Sequence, residues 1–159
     1  MAVHIRNYRP EDLETLKRIT VEAFDGVSID RNLEGLFGPI HGHDWGWRKA
    51  RHIDEDVQRD PLGVFVAETG GRVVGYVTTW MDREAGLGFI PNLAVEADVR
   101  GQGIGRELLL HALDHFRRHG LSHARIETLE QNPIGRSLYP SLGFHEVARQ
   151  IHYCLDLRS

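Results

Sequence analysis

The chain has 159 residues, of which 41% are hydrophobic and 26% charged, so we expect one domain, residues 1–159, whose core suffices for folding. Its formal net charge of -4 argues against a nucleic-acid partner, and no apolar stretch approaches the roughly 18 residues of a membrane span. The one cysteine, Cys154, excludes an intrachain disulfide and is typical of a cytoplasmic protein.

The first half of the chain predicts a strand, several helices and a hairpin. Residues 3–6 alternate like a half-buried strand, and Pro10 suits the first turn of the helix that follows. Residues 25–60 contain repeated glycines, which predict short helices joined by loops. Residues 64–68 and 72–80 predict two strands of a hairpin joined by a tight turn.

The next part of the chain predicts two strands and a helix around a glycine-rich loop. Residues 88–95 predict a strand in which Pro91 cannot donate a ladder hydrogen bond, so we expect a bulge or a splayed edge there. Beyond the loop, apolar residues at helical spacing predict a helix over 103–119. Residues 124–129 predict the following strand.

The C-terminal part predicts a short helix over 132–142, with Pro133 in its first turn, and strand structure within 144–157, which is rich in strand formers. The complete order of elements predicts an α/β (α+β) fold. We expect a mixed, mostly antiparallel central sheet flanked by helices, with a ligand loop where a strand meets a helix.

The loop at residues 100–106 has the sequence Arg-Gly-Gln-Gly-Ile-Gly-Arg. Glycine lets backbone N–H groups approach a ligand closely, and the following helix presents the positive end of its dipole, so the loop predicts a phosphate or pyrophosphate site. It is not a P-loop, because it lacks Gly-Lys-Ser/Thr, and Arg106 stands where the dinucleotide fingerprint requires its third glycine. The alternative is a glycine-rich turn without a ligand.

The pattern Arg-x-x-Gly-x-Gly over residues 100–105 resembles the acetyl-CoA signature of the GNAT superfamily of N-acetyltransferases. Residues 132–144 are similar to a second signature of that superfamily: Asn132, a small residue three positions later, Tyr139, and then Gly-Phe. The order of elements is similar over nearly the whole chain. The resemblance implies that acetyl-CoA is the acyl donor and lies in the splay between the fourth and fifth strands of the sheet.

The resemblance also implies roles for individual residues. The Asn132 side chain would bind the pantetheine arm or its thioester end, and Tyr139 would stand beside the sulfur. Backbone groups would pair with the pantetheine like an added strand, and these belong to Leu93, Ala94 and Val95. Backbone amides and flanking charges would hold the pyrophosphate, and these belong to Arg100, Gly101, Gln102, Gly103, Ile104, Gly105 and Arg106.

Direct attack of an amine on a thioester passes through a tetrahedral intermediate and requires proton transfers. An amine with a pKa near 10 is mostly protonated at pH 7, so it must lose a proton before it attacks. Tyr139, whose ordinary pKa is also near 10, stays protonated and suits the acid that gives a proton to the departing thiolate. The alternative for Tyr139 is packing, with a solvated hydroxyl.

Glu127 is the candidate base. It precedes Asn132 by five residues and Tyr139 follows Asn132 by seven, a spacing that resembles the ribosomal-protein alanine acetyltransferases. In the alternative, Glu127 pairs with Arg125 or Arg149, or is simply solvated. A water relay is another candidate for proton removal, and the rival side chains are Asp82, Glu130, His145 and His152.

The acceptor is a primary amine, left open between a small molecule and a peptide N-terminus. The resemblance implies that residues 25–60 form the wall opposite acetyl-CoA. Core packing and an acceptor pocket explain equally well the aromatic residues Trp45, Trp47 and Trp80. A cationic acceptor would be attracted by the acidic residues Asp25, Asp30, Glu34 and Asp44.

Other interpretations concern turnover, assembly and metals. The same fold could bind CoA or an acyl-CoA as a sensor without turnover, and the chain could form a homodimer.

The His41–His43 and His111–His115 pairs have spacings that suit a metal, but a zinc site needs three or four converging ligands. We therefore expect surface histidines and no metal site.

Overall fold

The computed structural model describes residues 2–158. Its strands are β1 (His4–Asn7), β2 (Phe65–Thr69), β3 (Arg72–Val77), β4 (Trp80–Asp82), β5 (Leu87–Ile90), β6 (Leu93–Val95) and β7 (His123–Ile126). Its α-helices are α1 (Leu13–Ala23), α2 (Ile29–Phe37), α3 (Trp45–Arg59), α4 (Ile104–Arg118) and α5 (Pro133–Ser141). Within this part of the chain, no helix has the length and apolar character needed to cross a bilayer.

The strands form two hydrogen-bonded groups. One is antiparallel throughout, in the order β1-β2-β3-β6, and the other has the order β4-β5-β7. β4 and β5 are antiparallel, whereas β5 and β7 are parallel, with Leu87 opposite His123 and Ile90 opposite Ile126. The predicted fold is therefore confirmed: the sheet is mixed and mostly antiparallel, with helices on its faces.

The two groups meet where the chain passes from β5 to β6. Pro91 and Asn92 separate these strands, so one run of chain pairs first with β7 and then with β3. β6 therefore diverges from the end of β7, and the sheet is splayed open between them. The bulge or splay predicted at Pro91 is confirmed, and it follows from the missing proline N–H.

Helices cover both faces of the antiparallel strands. α4 contributes Leu108 and Leu109, which are fully buried in one apolar cluster. α1 contributes Leu16 and Ile19 to a second cluster, in which Tyr76 of β3 is also fully buried. Each such aliphatic side chain contributes roughly 1.5–3 kcal/mol of transfer free energy, so these clusters hold the strands that border the splay.

One close approach in this core gives a test of the packing. A Cβ atom at Gly88 in β5 would lie 2.5 Å from Cδ2 of Phe116 in α4, whereas a Cβ atom at Gly35 in α2 would meet nothing within 4 Å. We expect Gly88→Ala to lower the free energy of unfolding by about 1–3 kcal/mol through overpacking. Gly35→Ala, the matched control, should raise it by roughly 0.5–1 kcal/mol, because alanine favours the helix. Urea unfolding of both variants tests this; equal midpoints would contradict it.

The structure corrects several sequence predictions. The strand predicted over 72–80 is divided into β3 and β4, because its partner is interrupted at Pro91 and Asn92. The strand predicted over 124–129 ends at Ile126, and residues 25–60 contain one long helix, α3, as well as a short one. The strand predicted within 144–157 is wrong for this structure: the segment has no ladder partner, and a strand requires one.

Candidate functional site

The glycine-rich loop leads directly into α4. Gly101 and Gly103 have φ values of 80° and 81°, and a Cβ atom at either would meet nothing within 4 Å. Glycine is therefore favoured here by backbone conformation rather than by crowding, since the left-handed region costs other residues roughly 1–2 kcal/mol. Gly103 is the N-cap of α4 and offers no side chain to cap it. The first N–H groups of α4 are consequently free to bind an anion.

Two arginines flank this loop. Nε of Arg100 donates to the Val95 carbonyl at 3.2 Å, and Nη1 of Arg106 donates to Oγ of Ser141 at 3.3 Å. Both side chains are otherwise exposed. Arg106 thereby connects the first turn of α4 to the end of α5, and both guanidinium groups add positive charge beside the free amides.

β6 has one paired edge and one open edge. The backbone carbonyl of Asn92, just before β6, accepts from the Thr78 N–H at 2.9 Å. The Glu96 N–H, just after β6, donates to the backbone carbonyl of Val74 at 2.8 Å, so the even-numbered residues of this run bond to β3. The backbone groups of Leu93 and Val95 therefore point towards the splay, because these directions alternate along a strand. By the same alternation the backbone groups of Ala94 face β3. Leu93 and Val95 are thus the residues suited to pairing with an extended ligand, and Arg100 Nε, which donates to the Val95 carbonyl, marks the end of this edge at the loop.

Tyr139 lies on α5 beside this opening. Burial raises the pKa of its hydroxyl to about 12. The ring lies close to Gly135, where a Cβ atom would come within 3.2 Å of Tyr139 Cε2 and 2.5 Å of Thr128 Oγ1. A glycine three residues after Asn132 therefore lets α5 approach the segment that follows β7, and this approach positions the Tyr139 ring.

Asn132 begins α5. Its Oδ1 atom accepts from the Gly135 N–H at 3.4 Å, which makes it the N-cap of the helix. Among residues 2–158 its Nδ2 group makes no hydrogen bond, so the amide can still donate to a ligand. The side chain thus combines a structural role that the sequence analysis did not assign with the binding role that it did.

The segment after β7 carries Glu127. Its side chain is 79% exposed, and Oε1 lies 3.7 Å from Nη2 of Arg125. This is one of the ion pairs considered as the alternative to a catalytic role. Among the rival bases, Glu130 lies 3.5 Å from Arg149, and Asp82 accepts from the Ala85 N–H at 3.0 Å in a turn.

α4, β6 and α5 meet at a single point. A Cβ atom at Gly105 would lie 3.7 Å from Val95 Cγ2 and 4.0 Å from Leu138 Cδ2. The free amides of α4, the open edge of β6 and the Tyr139 ring on α5 therefore border the same splay. This arrangement suits a long ligand with an anionic end at the loop and a reactive end near Tyr139.

A buried polar network supports the bulge of this splay. Lys49 Nζ donates to Asn92 Oδ1 at 2.8 Å, and Asp56 Oδ2 accepts from Asn92 Nδ2 at 2.7 Å and from Thr78 Oγ1 at 2.8 Å. Burial lowers the pKa of Lys49, and the nearby carboxylates of Asp30 and Asp56 oppose this effect because they favour the charged ammonium. Burial raises the pKa of Asp56. Sequence analysis missed this network. The available signal was the seven-residue spacing of Lys49 and Asp56, which places both on one helix face.

The start of α2 is held to the segment after β7 by side-chain amides. Gln131 Nε2 donates to the Gly26 carbonyl at 2.6 Å, and Asn32 Nδ2 donates to Gln131 Oε1 at 3.0 Å. These bonds tie the start of α2 to the segment between β7 and α5. Gly26 and Asn32 therefore lie beside the segment that leads into Asn132, and a wall formed by residues 25–60 opposite acetyl-CoA stays a prediction.

The acidic side chains of residues 25–60 that were expected to attract a cation are engaged locally. Asp25 pairs with Arg31 at 3.1 Å, Asp30 pairs with Arg48 at 3.3 Å, and Asp44 caps α3 by accepting from the Trp47 N–H at 2.7 Å. Glu34 likewise accepts from a backbone amide, the N–H of Trp45, at 3.2 Å. These contacts reduce the charge available for attracting a cationic acceptor.

The tryptophans do not line one pocket. Trp47 stacks on His43 with ring centroids 3.4 Å apart, whereas Trp80 stacks on Phe89 at 4.0 Å. A separate cavity of about 320 Å³ contains Trp80 together with His115 and His119 of the C-terminal part of α4, far along the helix from the loop. The acceptor side of the splay is therefore not a cage of tryptophans.

One histidine expectation is corrected. His115, expected on the surface, is buried against Phe65 with ring centroids 5.1 Å apart, and burial lowers its pKa. Its Nε2 atom has no hydrogen-bond partner in the described structure. Within residues 2–158 no group of three His, Cys, Asp or Glu residues is placed to hold a metal ion.

Comparisons with known proteins agree with this geometry. The model of the acetyltransferase (GNAT) family matches residues 30–144. A mycothiol acetyltransferase of Thermobispora bispora is 32% identical over 105 residues, which cover 63% of this chain and 36% of that protein. The [ribosomal protein bS18]-alanine N-acetyltransferase of Escherichia coli is 28% identical over 115 residues, which cover 65% of this chain and 78% of that protein. The chain thus spans only about a third of the length of the mycothiol acetyltransferases that it matches.

A solved structure shows the same fold. The PaiA N-acetyltransferase from Thermoplasma acidophilum, in complex with coenzyme A, superposes with a TM-score of 0.71. The two sequences are 22% identical, and the match covers 91% of each chain. At this identity the comparison concerns the fold and leaves substrate and residue roles to the local geometry.

Proposed function

Because this chain belongs to the acetyltransferase (GNAT) family, we propose that it transfers an acetyl group from acetyl-CoA to a primary amine by direct attack. The observation that carries the proposal is the splay between β6 and β7, bordered by free amides, an open strand edge and Tyr139. These three features suit the pyrophosphate, pantetheine and thioester parts of one cosubstrate.

Acetyl-CoA fits the residues present. The amides from Gly101 to Arg106 would hold the pyrophosphate, with Arg100 adding charge, and the cradle is open because no side chain caps α4. Leu93 and Val95 would pair with the pantetheine as a strand does, and Asn132 Nδ2 would donate to it near the thioester. The thioester supplies the activated acetyl group.

In the transfer step a C–N bond forms and a C–S bond breaks. The ammonium loses one proton before its nitrogen can attack, and the nitrogen of the tetrahedral intermediate loses a second as the amide forms. The sulfur departs as a thiolate, which then takes a proton from the solvent. A thiol has a pKa near 8.5, whereas the Tyr139 hydroxyl has a pKa of about 12. Complete proton transfer from Tyr139 to the thiolate is therefore uphill, so Tyr139 acts chiefly by donating a hydrogen bond to the charge that develops on sulfur.

Glu127 is the proposed base for the ammonium proton. It follows β7 directly, and its carboxylate, 79% exposed, can pass the proton to water. The nearest cation is the Arg125 guanidinium, 3.7 Å away, and both side chains are more than half exposed, so this pair leaves the carboxylate accessible to an acceptor.

The role of Glu127 predicts a pH-dependent defect. Glu127→Gln should lower kcat/KM at neutral pH and recover partly as pH rises to about 9, because free amine then forms without help. Glu130→Gln, which also removes an exposed carboxylate beside an arginine, is the matched control and should keep the wild-type profile. Initial rates over pH 6–9 at saturating acetyl-CoA measure both. A flattened profile in Glu130→Gln alone would place the base at residue 130.

The acceptor is proposed only as a primary amine. The relatives include an enzyme named for mycothiol and one named for the alanine of a ribosomal protein, so this family serves both small and peptide acceptors. The exposed opening beside Glu127 suits either class.

A panel of amines and peptides, with thiol release as the readout, tests the proposal. We expect CoA release that depends on both acetyl-CoA and at least one primary amine, with a mass increase of one acetyl group on that amine. Secondary and tertiary analogues serve as controls. If acetyl-CoA binds but no amine in a broad panel releases thiol, the chain is a CoA-binding sensor instead.

A further inference from the structure

The last part of the described chain, residues 145–158, forms no helix and no strand pairing. We call it the C-terminal arm. Its large apolar side chains are nearly all in solvent, with exposed fractions of 89% for Val147, 78% for Ile151, 90% for Tyr153, 75% for Leu155 and 87% for Leu157. A contiguous apolar row of this kind marks an interaction surface, since scattered single residues are the norm on a soluble protein.

The arm has the sequence pattern of a half-buried strand. The five exposed apolar residues all have odd numbers, so an extended arm would present them on one face. The opposite face would carry polar side chains, among them Gln150, His152 and Asp156. The arm therefore lacks only a sheet edge with which to pair.

Such an edge exists on β7. This strand pairs with β5 along one side and is the last strand in its sheet, so its other side has no partner in the described structure. Unpaired N–H and C=O groups along an edge strand are a template for another strand. Ala124 and Ile126 of β7 already pack against the main apolar cluster, so an added strand with an apolar face would extend that cluster.

We propose that the arm of one chain pairs with the free edge of β7 in a second copy of the chain, and reciprocally. Each chain carries one unpaired strand sequence and one unpaired edge, and a twofold exchange satisfies both and closes the assembly. Ten apolar side chains, five on each arm, comprise on the order of 1,000 Å² of surface. Stable interfaces bury about 1,200–2,000 Å² in total, and backbone pairing adds to the side-chain area.

The exchange has a consequence for the site, although it does not depend on the proposed reaction. Glu127 follows β7 directly, so the arm of the second copy would run past it. The dimer would then contribute a wall to the acceptor side of each splay. In the single chain this side is open, as the exposure of Glu127 shows.

Sedimentation velocity over about 1–100 μM tests the proposal with matched variants. The wild type should be a dimer, and Leu155→Asp should be a monomer, because a charge would enter the exchanged apolar face. Leu62→Asp is the control: Leu62 is also 75% exposed but lies outside the arm, so this variant should remain a dimer. Removal of residues 147–158 is a second route to the monomer. A monomeric wild type, or a Leu155→Asp dimer as stable as the wild type, would overturn the proposal.

Amide exchange distinguishes pairing with a second copy from pairing within one chain. Backbone amides of residues 147–157 and of β7 should be protected in the wild type and exchange rapidly in Leu155→Asp, while the β2 and β3 amides stay protected in both. Protection of the arm in a monomeric wild type would mean that it closes on its own β7, which contradicts the exchange.

Discussion

Replacing Tyr139 with Phe should lower kcat by roughly 10²–10³-fold, the usual cost of removing one donor to a developing charge. The ring packs beside Gly135 and Phe144, and phenylalanine preserves those contacts. Folding and acetyl-CoA binding should therefore be nearly unchanged. Steady-state rates with the best acceptor amine, together with the melting temperature, measure the effect.

The pKa of Tyr139 adds a pH signature to this result. Burial raises that pKa to about 12, so the hydroxyl keeps its proton throughout the working range and its contribution is lost only as pH rises through the raised value. The ratio of wild-type to Tyr139→Phe rates should therefore stay constant from about pH 7 to pH 10. Tyr8→Phe, a partly buried tyrosine on the α1 side, is the control and should retain wild-type rates. A ratio that falls to one by pH 10 would contradict this role.

Replacing Gly103 with Glu should abolish measurable acetyl-CoA binding. A carboxylate at the N-cap of α4 would fill the open space in front of the free amides and place negative charge where the pyrophosphate lies. Calorimetric titration of acetyl-CoA into the folded variant should give no saturable heat at concentrations at least 100-fold above the wild-type Kd.

Gly70→Glu is the matched control for this change. Gly70 lies in the β2–β3 turn with φ at 58°, and a Cβ atom there would also meet nothing within 4 Å. Both variants therefore place glutamate at an open, left-handed position and share the conformational cost. Loss of binding in Gly103→Glu alone assigns the effect to the loop, whereas equal loss in both would assign it to destabilisation.

The parts of the site that follow from local chemistry were predictable from the sequence. Alternating glycines before a helix require a particular backbone, and Gly101 and Gly103 adopt it. Pro91 cannot complete a ladder, and the sheet divides at that residue. In both cases the residue itself imposes the conformation, so no distant contact has to be known.

The parts that depend on distant partners were not predictable. The strand pattern after Phe144 is present in the sequence, but a strand forms only when it pairs with an edge, and in the single chain the arm pairs with none. Lys49 and Asp56 bond to Asn92 across 43 and 36 residues of sequence, so their joint role emerges only when α3 packs on the sheet. His115 is buried because α4 places it against Phe65 of β2.

The most direct test of the central claim is the melting temperature of the wild-type chain with acetyl-CoA, CoA, ATP and NAD⁺ in parallel. A ligand that binds only the native state stabilises it by about 2.7 kcal/mol at 100 times its Kd, which corresponds to a rise of roughly 5–11 °C for a domain of this size. We predict such a rise with acetyl-CoA and with CoA, and none with NAD⁺ or ATP. No rise with either CoA species, or an equal rise with NAD⁺, would contradict an acetyl-CoA site in the splay.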